Sequence, residues 1–204
     1  ELARDVGISA PTAAAWLAAL QASGIAVLLE PWFSNRTRSL VKSPKLYPAD
    51  TGLAAFLCGL RSTEELAESP FAGSLWESLV FAELRRRQLN AHGGWELNFW
   101  RDRVREADFL RHRGGVFHLA DAKWAEHPDA RDAAALERVA QALPERSVRS
   151  RTIFCRAAHS YPLDRVAVAS PVSELGDGWL SAPGEPDRRT LGRPGDPEYL
   201  TVSV

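Results

Sequence analysis

Within READFLRHRGGVFHLADAKW, residues 105–124, four charged residues fall into two pairs: Glu106 with Asp108, and Asp121 with Lys123. Both pairs have a spacing of two, and a Gly-Gly turn separates them. In extended backbone, residues i and i+2 point to the same face, so each pair projects to one side of its strand. Leaving a buried carboxylate or ammonium unpaired costs several kcal/mol. Charges grouped on strands therefore need a metal ion, each other, or an exposed sheet edge. Spacing alone leaves these alternatives open, and an edge salt bridge satisfies it as well as a site does.

The elements that must carry these residues follow from periodicity. SPFAGSLWESLVFAELRRRQLN, residues 69–90, has helical spacing with Leu75, Leu79, Phe81, Ala82 and Leu84 as the expected buried side. Arg85 to Arg87 sit near its C-terminus, where the helix dipole favours cations, and Glu77 lies among the apolar residues. Strands are expected at WELNFWR, EADFLR and VFHLADAKW, a helix over about 129–143, and further strands at SRTIFCR and VAVAS. The alternation gives an α/β (α+β) class. His118 faces away from Asp121 and reads as a structural histidine. No His or Cys spacing suits zinc.

Upstream, Ser9 as N-cap, Pro11 in the first turn and Gly24 after the last turn delimit a helix whose apolar stripe is Ala13, Trp16, Leu17 and Leu20. A short helix and a turn at Gly7 precede it, and a β-rich hairpin follows. That order is a winged helix-turn-helix whose first helix would lie before Glu1. Arg36, Arg38, Lys42 and Lys45 form a basic wing, suited to phosphate contacts or to packing against a neighbouring domain. The organisation expected is a winged-helix fragment over 1–48, linking helices over 49–70, a domain over 71–172 and an irregular tail rich in Pro, Gly and charge over 173–204.

Bulk properties narrow the class. The chain has 204 residues, 45% hydrophobic and 25% charged, with formal net charge -1, enough for one domain with a core or two small ones. No apolar run reaches the roughly 18 residues of a membrane span, and two cysteines make no disulfide framework, so a reducing cytoplasm is the expected compartment. A start at Glu1 and the absence of methionine read as a fragment of a longer protein.

A helix with an acid, a strand with an aspartate, then a strand with acid-x-Lys and a helix resembles the PD-(D/E)XK nuclease core. That resemblance implies Asp108 as the first aspartate, Asp121 and Lys123 as the (D/E)xK pair, and Glu77 as the acid of the preceding helix. Asp108, Asp121 and Glu77 would hold Mg²⁺ or Mn²⁺, and Lys123 would orient water or stabilise developing negative charge. Glu106 would lie outside the principal ligands. KSPKLYPADTGLA, GSLWESLVFAEL, FWRDRVREADF and LADAKW together resemble the C-terminal half of a prokaryotic family of AAA-type ATPases. Such proteins join an N-terminal ATPase, a winged-helix segment and a restriction-endonuclease-like domain. The family commonly has Glu where Asp121 stands. No G-x-x-x-x-G-K-[ST] occurs here, so ATP would bind only in the missing N-terminal domain. The implied partners are DNA and that upstream ATPase domain, with no membrane. The implied functions are Mg²⁺-dependent cleavage of DNA or, alternatively, a catalytically inactive binding and regulatory module.

Overall fold

Ser9 accepts a hydrogen bond from the Thr12 amide, so the second of two short helices starts where a cap and a proline predict. The computed structural model describes residues 2–33, 43–90, 94–144 and 147–175. Helices α1 (Leu2–Val6) and α2 (Ala10–Ala22) are followed by an antiparallel ribbon of β1 (Ala26–Leu29) and β2 (Lys45–Pro48), with Val27 opposite Tyr47 and Leu29 opposite Lys45. Gly24, just past the C-cap of α2, has φ 70°, a left-handed turn that glycine adopts without a Cβ penalty. The apolar stripe of α2 is only partly covered: Ala13 is buried, whereas Trp16 and Leu20 are exposed. Arg36, Arg38 and Lys42 of the expected wing, and the tail beyond residue 175, lie outside the described residues.

Asp50 caps α3 (Thr51–Leu57) by accepting from the Leu53 amide, and α4 (Thr63–Glu68) leads into α5 (Ala72–Asn90). Burial on α5 falls on Leu75, Ser78, Val80, Phe81 and Leu84. Leu79, expected on that side, is exposed: at about 100° per residue it falls off the arc that runs from Val80 through Leu84, Phe81 and Ser78 to Leu75.

The main sheet has six strands in the order β3-β4-β5-β6-β8-β7: β3 (Glu96–Arg101), β4 (Glu106–Arg113), β5 (Val116–Ala122), β6 (Val148–Phe154), β7 (Tyr161–Pro162) and β8 (Ala167–Ser170). The first three form an antiparallel meander. β6 then joins β5 in parallel by way of α6 (Ala130–Ala140), the long crossover that parallel pairing requires. Asp129 and Asp132 close a capping box at the start of α6. The result is a mixed α/β sheet with a helix on each face. Val80, Phe81 and Leu84 of α5 pack with Phe99, Phe109 and Phe154, while Leu136 and Val139 of α6 pack with Leu110, Leu119 and Ile153.

The N-terminal ribbon is stitched to this sheet. Beyond β1, the Trp32 amide donates to the Phe99 carbonyl at 2.7 Å and the Phe99 amide to the Glu30 carbonyl at 3.2 Å. Among the described residues, no helix is long and apolar enough to cross a membrane.

Candidate functional site: an acid pocket holding a lysine

β4 and β5 separate at the ends that carry the aspartates, and side chains take over the pairing there. The Asp108 amide donates to Asp121 Oδ1 at 3.0 Å, and the Ala122 amide donates to Asp108 Oδ2 at 3.1 Å. Each carboxylate thus satisfies a main-chain donor of the opposite strand. The expected strand through Trp124 stops at Ala122, and the Lys123 amide donates instead to the Phe154 carbonyl at 2.8 Å.

Asp108 and Glu106 line two adjoining clefts. One, of about 240 Å³, is also bordered by Arg105, Asp121, Lys123 and Arg138. The other, of about 440 Å³, is bordered by Lys45, Tyr47, Glu77 and Arg101. The structure therefore brings Asp108, Asp121 and Lys123 together as the period-two spacing predicts. Glu77 meets Asp108 on the second side and does not border the cleft of Asp121 and Lys123.

Lys45 fills the meeting point. Its Nζ lies 2.9 Å from Glu77 Oε1, 2.7 Å from Glu106 Oε1 and 2.8 Å from Asp108 Oδ1, and its side chain is 13% exposed. Tyr47, two residues on and so on the same strand face, donates its hydroxyl to Glu77 Oε1 at 2.6 Å. Arg101 forks onto both oxygens of Glu106 at 2.7 and 2.5 Å. Three carboxylates are thus met by two cations and a phenol. Lys45 was expected on a basic wing that meets phosphates or packs against a neighbouring domain; its ammonium points to the acids of α5 and β4.

Burial and charge set the protonation. Burial pushes the Asp121 carboxyl up to about 7, with the Asp108 carboxylate beside it adding to the effect. Burial likewise raises Asp108, against the pull of Lys45. Lys45 is held above its ordinary value: burial opposes its charge, but Asp108 and Glu77 more than offset this. Glu106 is lowered, because Arg101 and Lys45 outweigh its burial. His118, expected to be structural, bonds Ser150 Oγ at 2.8 Å, and burial lowers it to about 4.

The donor set bears on the implied metal. Among the described residues, no three His, Cys, Asp or Glu side chains are arranged to hold a metal ion. The reason is visible in the contacts: one oxygen of each of Glu77, Glu106 and Asp108 is turned to the Lys45 ammonium, while Asp121 Oδ1 and Asp108 Oδ2 serve backbone amides. With Lys45 in place the residues do not fit a divalent ion.

Sequence reasoning missed Lys45, Tyr47 and Arg101 as members of this cluster. The signal was present in K-L-Y, where a cation and a phenol alternate on one face of a short strand.

Residues 1–64 match a family described as a domain of unknown function, DUF8612, and residues 72–175 match another, DUF4143. The uncharacterized protein Rv2008c of Mycobacterium tuberculosis is 37% identical over 84 residues, as is the uncharacterized protein Mb2031c of Mycobacterium bovis. Each match covers 41% of this chain but only 19% of the relative, so the chain aligns with about a fifth of the length of these curated proteins. No solved structure matches the chain. The DUF4143 match takes in just over half of the chain, including α5, the strands that carry Glu106, Asp108 and Asp121, and α6; the chain belongs to that family.

Proposed function

We propose that the chain is the nuclease-like C-terminal part of an AAA-type ATPase, and that in this form the domain docks DNA for the ATPase without cutting it. The order acid-bearing helix, aspartate strand, acid-x-Lys strand, helix and parallel strand supports kinship with PD-(D/E)XK nucleases. The observation that carries the non-catalytic reading is Lys45, whose ammonium engages Glu77, Glu106 and Asp108 at 2.7–2.9 Å. A pocket whose carboxylates already share a cation has no cluster left to recruit a second one.

A second reading, Mg²⁺-dependent cleavage of DNA, is favoured by a specific feature. Asp108, Asp121 and Lys123 border one cleft together with Arg105 and Arg138, a mixture of acids and bases that suits a phosphodiester. The experiment that separates the readings uses the full-length protein with ATP and either Mg²⁺ or Mn²⁺ on single-stranded, double-stranded and branched DNA. Retention of intact DNA in gel shifts is the expected result. Cleavage that disappears in Asp121→Ala and Lys123→Ala would replace the docking reading with the catalytic one.

A further inference from the structure

We infer that the Lys45 ammonium is the resident cation of the acid pocket, standing where a divalent ion would otherwise bind, so that seating of the β1–β2 ribbon and metal binding exclude each other. The inference rests on the nuclease-like reading of the domain, and it concerns occupancy rather than cleavage.

Three features of the geometry point this way. First, the three oxygens around Nζ come from separate elements, Glu77 from α5 and Glu106 and Asp108 from β4, and they surround one point at nearly equal distances. That is the arrangement of ligands about an ion more than that of a two-partner salt bridge. Carboxylate oxygens approach Mg²⁺ at about 2.1 Å and Ca²⁺ at about 2.3–2.6 Å, so a divalent ion needs the three to close in by a few tenths of an ångström or more. Second, the cation comes from outside the domain's own helix and strands, on a ribbon that meets the main sheet around Glu30 and Trp32 and packs Leu29 and Tyr47 into the core beside Phe81, Phe99 and Phe109. Third, Tyr47 on the same ribbon caps Glu77 through its hydroxyl, so withdrawal of the ribbon removes Lys45 and Tyr47 together, leaving Arg101 on Glu106 and neither Lys45 nor Tyr47 on Glu77 and Asp108. Ribbon seated, the pocket is neutralised from within; ribbon withdrawn, it requires an external cation.

The test is Mn²⁺ titration, followed by electron paramagnetic resonance of the free ion, on the full protein and its Lys45→Met, Lys45→Arg and Lys45→Met/Asp108→Asn variants. Lys45→Met should bind one Mn²⁺ at least about tenfold more tightly than the parent, a difference of some 1.4 kcal/mol. Lys45→Arg should match the parent, and the added Asp108→Asn should abolish the gain. If Lys45→Met does not fold alone, millimolar Mn²⁺ should restore its circular dichroism, which supports the inference equally. Tight Mn²⁺ binding by the parent, unchanged in Lys45→Met, would overturn the inference while leaving a metal-binding nuclease-like domain intact. No Mn²⁺ binding by any variant would overturn the inference by removing the kinship on which it stands. DNA cleavage by the parent, by contrast, bears on the docking reading alone.

Discussion

At the level of single residues, the site sets buried charge against stability. Removing Lys45 leaves Glu77, Glu106 and Asp108 facing one another with one partner fewer. Loss of one member of a buried, hydrogen-bonded ion cluster costs about 3 kcal/mol or more, so Lys45→Met should unfold in urea with that deficit at neutral pH. Asp121 works in the opposite direction. Its carboxyl is raised to about 7 in the folded chain, above its ordinary value of 3.8. Its contribution to stability is therefore fully present below about pH 4 and is lost as pH rises through 7, because the folded state resists ionisation that the unfolded state accepts. Asn has the shape of the protonated acid and can still accept from the Asp108 amide. Asp121→Asn should match the parent near pH 4 and exceed it by on the order of 2 kcal/mol near pH 8, measured by denaturation across that range. Stability gained by removing an ionisable carboxyl marks a position kept for something other than folding.

Between elements, the contact that decides the site is the one between the β1–β2 ribbon and α5. Tyr47 stacks on Phe81 with ring centroids 4.2 Å apart and planes at 17°, and its hydroxyl reaches Glu77. Tyr47→Phe keeps the stack and loses the charge-assisted bond, so it should cost about 1.5–3 kcal/mol. Tyr47→Ala should cost about 3–5 kcal/mol and loosen the ribbon, seen as faster amide exchange in β1 and β2. This junction also divides what could be read from the sequence from what could not. Five strands of the main sheet, the helix from about Asp129, and the convergence of Asp108 with Asp121 and Lys123 were legible, since each follows from a local period; β7, two residues long, is too short to carry one. The insertion of Lys45 was not, because it depends on where a distant ribbon docks: 32 residues separate it from Glu77 and 63 from Asp108. A basic residue amid other basic residues reads as a solvated wing until tertiary packing brings acids to it. Leu79 was misplaced for a milder reason: α5 is apolar on more than one side, so its composition did not single out the face that packs.

Over the whole molecule, a pocket that is neutralised internally stands beside a stretch of sequence rich in basic residues. Arg36, Arg38 and Lys42 lie outside the described residues, but their sequence position, with no acid between Glu30 and Asp50, gives that segment a clear positive sign. Lys45 completes the run in sequence yet is committed in space to three carboxylates, so it should contribute nothing to phosphate binding. The docking reading thus predicts a particular salt dependence. Each phosphate neutralised on duplex DNA releases condensed counterions and adds about 0.9 to the slope of log K against log salt. Replacing Arg36, Arg38 and Lys42 together with alanine in the full-length protein should flatten that slope by about 2 to 3. Lys45→Arg, which keeps the pocket's cation, should leave it unchanged. Fluorescence anisotropy over a range of salt concentrations measures both. A slope that ignores the triple substitution would assign the basic segment to contact with a neighbouring domain, and any DNA affinity would then have to come from the cleft of Arg105, Lys123 and Arg138.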